Sequence, residues 1–470
     1  AAMVTAEGIP EAGIDSDSRM ALYGVGLLPV LRVTLSDPAK LDATFAKFEA
    51  RAGKEMSVGT LDGHSYRYAG NDDARAIFAV LGDQFVVTVV PATLGEDLLK
   101  GVLGLTPPAR SIADSGELQA LAEKYGYTAY GLGLVDVERV ASTFLDEQSG
   151  VNSALLAMMG HDSGSLSDVC REEIRAVAGV APRVVTGYTE MTRERFRSNT
   201  VFELRSDLAL GLQGITSPVP GLGQQHGGLL SFGMSFDLPA FREFYGARLD
   251  ALEADPFECE LFADLQSGVA TARAALNQPL PPMASDFRGF LAVIEDIKGM
   301  DFATKQPPTE IDMRFLVATG NAQGLVAMGA MFSPEIAALE LKPDATPVQL
   351  PLPAGAAPID TAWVAMSEEA LALSVGNGGE TGLAEMLKAG FEEPPPFMSM
   401  DVDAGRYYGF LGDVMTSTDM SDSGEEVSAE VAQATGDLMR SFESMFERVS
   451  FDVQFTERGI EMPSTMVLAD

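Results

Sequence analysis

The feature that most constrains this chain is a repeat of supersecondary units inside it, because self-similar segments tend to fold alike and pack alike. A strand, an acidic cap and an amphipathic helix recur in LRVTLSDPAKLDATF with Asp37, GLGLVDVERVASTF with Asp136, FGMSFDLPAFREFY with Asp237 and FMSMDVDAGRYYGFL with Asp403. VATGNAQGLVAM, with Asn321, is a weaker copy. An Asp or Asn at this position accepts a backbone N–H bond at the helix start, and the apolar residues four and eight places on face one core. A second unit, strand, acidic turn, strand and short helix, occurs as AIFAVLGDQFVVTVVPATLGEDLLKGVLG and again as AWVAMSEEALALSVGNGGETGLAEMLKAG. A closing hairpin appears as VVTGYTEMTRERFRSNTVFELRSD and as VSFDVQFTERGIEMPSTMVLAD.

Spacing argues against coincidence. Asp136 and Thr189 are 53 residues apart, as are Asp403 and Thr456, and an Asp-Ser-Gly triplet lies within each interval. The sequence therefore predicts a duplication: a flexible leader over 1–19, module A over 20–206, a linker and connecting segment over 207–287, and module B over 288–470. Strands joined by hairpins cannot build a doubly wound parallel sheet, and Asp62-Gly63 suits a tight two-residue turn. The expected fold is α+β, two similar modules, each a mainly antiparallel sheet with helices packed on it. The period places Val177, Val431, Leu438 and Phe442 on buried helix faces.

Composition limits the partners. With 32 basic against 68 acidic residues the net charge is −36, which excludes nucleic acid as a partner and disfavours anionic membrane surfaces. The longest charge-free runs are broken by Gly, Pro, Gln and Asn, so no transmembrane segment is expected.

Motifs for chemistry are sparse. His64, His161 and His226 are scattered without zinc-ligand spacing, and His161-Asp162-Ser163 lacks a nucleophile elbow and has Ser421 in place of the histidine in the second copy. SVGNGGETG resembles an anion-binding turn but has no Lys-Ser/Thr, and GLGLVD ends in a helix cap where a dinucleotide fingerprint needs glycine. Neither a catalytic residue nor a cofactor site is assigned. The carboxylates Asp419, Asp422, Glu425 and Glu426 form a weak calcium candidate, without the spacing of a helix-loop-helix site. Arg193, Arg195 and Arg197 alternate in a strand and so share a face, either pairing with carboxylates across the sheet or offering a contact surface to an acidic partner or a second copy. The methionines, among them Met398, Met400, Met439, Met445 and Met466, fill a core or line an adaptable apolar pocket.

The segments GVGLLPVLRVTLSDPAKLDATF, DPFECELFADL and TSPVPGLG resemble an uncharacterised group of secreted or lipid-anchored bacterial envelope proteins. That resemblance implies an extracytoplasmic location and no activity. In such a compartment an even pair of cysteines is normally bridged, so Cys170 and Cys259 are expected to form one disulfide. The function expected is that of a non-enzymatic structural or interaction protein of the bacterial envelope or exterior. A carrier of an apolar, lipid-like ligand and a carboxylate-based hydrolase are the alternatives.

Overall fold

The structure, a computed structural model, describes residues 8–15, 17–109, 111–299, 308–352, 361–376, 379–417 and 429–469. It is α+β, with two antiparallel sheets of six and twelve strands. Its strands are β1 (Met20–Val25), β2 (Leu28–Thr34), β3 (Ser57–Leu61), β4 (His64–Gly70), β5 (Ala74–Leu81), β6 (Gln84–Pro91), β7 (Leu132–Asp136), β8 (Arg183–Met191) and β9 (Arg195–Glu203). They continue with β10 (Leu230–Ser235), β11 (Phe287–Lys298), β12 (Glu310–Thr319), β13 (Val348–Gln349), β14 (Ala362–Met366), β15 (Ala370–Val375), β16 (Met398–Asp403), β17 (Phe446–Thr456) and β18 (Gly459–Leu468).

The chain forms two compact units, one of residues 1–118 and 137–178, the other of 119–136 and 179–470. The first holds the sheet ordered β1-β2-β6-β5-β4-β3. Leu28, Val30, Ile77, Val86, Val102 and Leu103 form its core, where alternate residues of β2, β5 and β6 meet the helix Glu96–Leu103. Asp62 and Gly63 turn β3 into β4 with φ of 49° and 81°, the left-handed pair that a tight hairpin requires. Residues 8–15 are part of this unit rather than a loose leader. Ala12 is buried and packs with Leu35 and Leu41, and the Ser36 amide donates to the Gly13 carbonyl.

The second unit holds the order β13-β14-β15-β12-β11-β10-β16-β17-β18-β9-β8-β7. Here the sequence boundary at 206/207 is not followed. β7, β8 and β9, from the expected module A, pair through β9 and β18 with the end of the expected module B. The two copies of the closing meander, β7-β8-β9 and β16-β17-β18, thus sit edge to edge, their last strands antiparallel. β10 with Asp237, expected in a connecting segment, is the central strand that joins β11 to β16.

At Asp37, Asp237, Asn321 and Asp403 the caps do as the repeat requires. Asp37 accepts from the Ala39 amide, Asp237 from Ala240, Asn321 from Gly324 and Asp403 from Arg406. The helix-face expectation fails at two positions. Val177 and Leu438 are both 40% exposed, because their helices pack mainly on other helices, Val137–Leu145 and Ala404–Ser417, rather than flat on a sheet. Phe442 is half-buried, and the side chain of Val431 lies outside those described.

Candidate functional site: an apolar sheet face

Directly paired residues in a sheet project to the same side, so the register sorts every side chain of the twelve-stranded sheet onto one of two faces. One row runs Phe315, Ala292, Phe232, Met400, Phe451 across β12, β11, β10, β16 and β17. The next runs Leu371, Val317, Phe290, Met234, Met398, Val453. A third runs Met313, Ile294, Leu230, Val402, Val449, Met466, Phe196. The three rows make a continuous apolar field rich in phenylalanine and methionine. Phe232, Phe290 and Phe315 touch ring to ring at 5.8 and 5.9 Å. Across β18 and β9 the first row ends in Ser464 and Ser198, whose hydroxyls lie 2.8 Å apart.

Burial on this face is incomplete. Every residue of the first two rows is half-buried, and Leu373, next to Phe315 on β15, is 36% exposed. The opposite face is closed over. Leu291, Val293, Leu316, Ala318, Ala370 and Ala372 are almost fully buried there and pack with Val219, Leu222, Leu383 and Met386, with Trp363 at the margin. At the centre of the sheet the ordinary alternation is therefore inverted. In β10 the small residues Ser231 and Ser235 are buried while Leu230, Phe232 and Met234 are not; in β16, Ser399 and Asp401 are buried while Met398 and Met400 are not, although Val402, at the end of that strand on the apolar face, is buried. Small residues are needed on the closed face because the 215–229 segment presses directly on the strand. A Cβ at Gly233 would stand 2.7 Å from Leu222 Cδ1.

The closed face carries charge, and it is paired. Arg448 Nε donates to both carboxylate oxygens of Asp401 at 2.9 Å, its Nη2 bonds the same carboxylate, and that nitrogen also reaches the Gly228 carbonyl. Ser235 Oγ donates to the Pro396 carbonyl at 2.8 Å. Asp452, opposite Ser399 in the register, is the exception. Burial raises its carboxyl above the ordinary aspartate range, the Glu392 and Asp401 carboxylates add to this, and only a hydrogen bond with Ser399 opposes it. A carboxyl whose pKa is raised by folding stabilises the fold below its unfolded value, and that contribution is lost as pH rises through the folded value. Asp452→Asn is therefore expected to raise the melting temperature at neutral pH, with the gain vanishing near about pH 3, where both states are protonated. A melting curve at each pH checks this.

A second charged network lies where β9 meets β18. Glu203 accepts from Lys124 Nζ and Arg183 Nε, both at 2.6 Å, and from the Tyr125 hydroxyl. Burial pushes the Glu203 carboxyl up, but those donors outweigh it and hold it below the usual range. Glu461 is chelated by Arg458 Nε and Nη2 at 2.8 Å and also accepts from Thr456 and Asn199. Tyr127 stacks on Tyr125 at 5.5 Å and donates to the Asn199 carbonyl; burial, with the charges of Tyr125 and Glu461 nearby, pushes its hydroxyl up to about 12. Glu203, clamped by cations, stays ionised and makes a poor proton donor, so this network reads as a structural seam of the junction. Sequence spacing gave no signal for it, since Lys124 and Glu203 are 79 residues apart.

The residues singled out by sequence do not converge. Arg195 and Arg197 lie 4.0 and 3.3 Å from the Glu190 carboxylate, so two of the three basic residues engage one acid across the hairpin, while Arg193 is exposed. Asp419, Asp422, Glu425 and Glu426 lie outside the described residues. Among the described residues no group of three or more His, Cys, Asp or Glu is placed to hold a metal ion. His161 Nε2 meets the Phe144 carbonyl at 2.8 Å, and Asp162 caps a short helical turn by accepting from the Gly164 amide, so neither addresses Ser163. Of the five methionines named from sequence, Met398, Met400 and Met466 lie on the apolar face; Met439 and Met445 lie in the helix Ala429–Met445. Cys170 and Cys259 are disulfide-bonded. No helix among the described residues is long and apolar enough to cross a membrane.

No family model, no curated protein and no solved structure matches this chain.

Proposed function

We propose that the protein is a non-enzymatic binder of an apolar, lipid-like ligand, and that the Phe and Met face of the twelve-stranded sheet is the surface that takes it. The carrying observation is the inverted alternation of β10 and β16, which buries serine and aspartate and leaves Phe232, Met234, Met398 and Met400 only partly buried. In the unliganded state the fold forgoes roughly 25 cal/mol for each Å² of apolar surface left wet on this face. Contiguous apolar surface of this kind marks an interaction site, and methionine's flexible thioether adapts to chains of different shape. The bridged cysteines support an extracytoplasmic setting, where disulfides persist. A second reading, protein contact through the 193–197 hairpin, rests on the exposed Arg193 and is weakened by the hold of Glu190 on its neighbours.

The test is titration with N-phenyl-1-naphthylamine, a neutral dye that brightens in apolar surroundings. Saturable enhancement is expected. Phe232→Ser with Met400→Ser should weaken it about tenfold or more, since each lost side chain forfeits on the order of 1 kcal/mol of contact. A double variant that binds like the parent would remove the sheet face from consideration, and an absence of saturable binding would remove the reading itself.

A further inference from the structure

We infer a second site, in the groove between the helices Leu238–Ala254 and Ala263–Leu276, built to take a single-chain anionic amphiphile such as a long-chain carboxylate. Leu238, Phe241, Tyr245 and Leu249 recur at helical spacing and line one wall. The facing wall is mostly small, with Ala272 and Ala275 beside Leu276, so two helices that would otherwise close ridge into groove leave a trough of about 570 Å³, floored by residues 279–281. That volume lies within the range of small-molecule sites. The walls are not collapsed onto each other, and Tyr245, packed on Phe241 at 4.4 Å, remains 41% exposed.

Arg242 gives the groove its polarity. It lies on the lining beside Phe241, and its guanidinium donates to the Gln278 carbonyl at the floor. It makes no ion pair among the described residues, although the chain carries 68 acidic side chains. A guanidinium has five N–H donors and a fixed charge, so one carbonyl leaves most of its capacity unused. An apolar trough with one unneutralised cation at its wall matches a ligand with an apolar body and one negative head. A neutral lipid would satisfy the walls alone and a small anion the cation alone. This site shares no residue with the sheet face and does not depend on it.

The experiment uses the intact, disulfide-bonded protein and two fluorescent probes, cis-parinaric acid and the corresponding alcohol. The acid is expected to bind more tightly than the alcohol. Arg242→Gln should weaken the acid roughly tenfold or more, the weight of a charge-assisted hydrogen bond, and change the alcohol by less than about twofold. Ala275→Trp, which fills the trough, should abolish the tight component for both, with far-UV circular dichroism confirming the fold. Phe232→Ser with Met400→Ser, on the sheet face, should leave the Arg242-dependent component intact. The proposal is overturned if Arg242→Gln weakens both probes equally or neither, if Ala275→Trp leaves the acid bound as before, or if the sheet-face variant alone removes the acid. The last outcome would leave the sheet-face reading standing.

Discussion

Asp401→Asn is expected to destabilise the twelve-stranded unit by about 3–5 kcal/mol, the usual cost of removing one partner from a buried ion pair. The side chain of Asp401 is 4% exposed and that of Arg448 17%, so neither recovers much hydration in the fold. With the carboxylate replaced by a neutral amide, the guanidinium stays charged and keeps only neutral acceptors, the amide oxygen and the Gly228 carbonyl at 3.5 Å. That unmet desolvation, more than the lost attraction, sets the size of the effect. The pair spans β16 and β17, whose register places Asp403 opposite Arg448 and Asp401 opposite Ser450, so the loosened contact lies in the middle of the sheet. Replacing both partners with apolar residues, Asp401→Leu with Arg448→Met, should recover much of the loss, because no buried charge then remains. The single tryptophan, Trp363, packs on the core of the same unit and reports its denaturant transition. A single variant within about 0.5 kcal/mol of the parent would mean that Arg448 escapes to solvent.

The capping aspartates, the hairpins and the repeated order of units were legible in the sequence because each is a local pattern, with the signal and its consequence within about ten residues. What was not legible is long-range. Nothing in VFELRSD or GIEMPSTMVL says that these two strands pair with each other, and that pairing draws β7–β9 into the sheet of the second half and displaces the expected boundary at 206/207. Alternation in LSFGMS and MSMDVD identifies strands with two unlike faces, but hydrophobicity alone would turn Phe232 and Met400 inward. The covering segment 215–229, with Leu222 set against Gly233, decides otherwise. Amphipathic spacing likewise marks Val177 and Leu438 as one stripe of their helices, yet which stripe is covered depends on the partner helix. The Glu203 network was invisible for the same reason, its donors coming from residues 124, 125 and 183.

The two faces of the sheet make opposite demands on stability, and this is the sharpest check on the proposed site. Leu291, 2% exposed on the closed face of β11, touches a core of Leu222, Leu316 and Leu383. Leu291→Ala should cost about 3–5 kcal/mol, through lost transfer energy and a cavity that close-packed neighbours cannot fill. Phe232, on the neighbouring strand β10 and on the open face, is a larger side chain and would cost as much or more if it were core. It is half-buried, its environment already partly wet, and so Phe232→Ala is expected to cost under about 1.5 kcal/mol. Thermal and urea unfolding of the two variants, followed by far-UV circular dichroism, gives the comparison without relying on Trp363, which lies beside the Leu291 cluster. A saturating apolar ligand should widen the gap between parent and Phe232→Ala, because the parent alone gains the full binding energy by mass action. Equal losses for Leu291→Ala and Phe232→Ala, with no effect of ligand, would make the Phe and Met rows ordinary core, and the inverted alternation would then need an explanation other than binding.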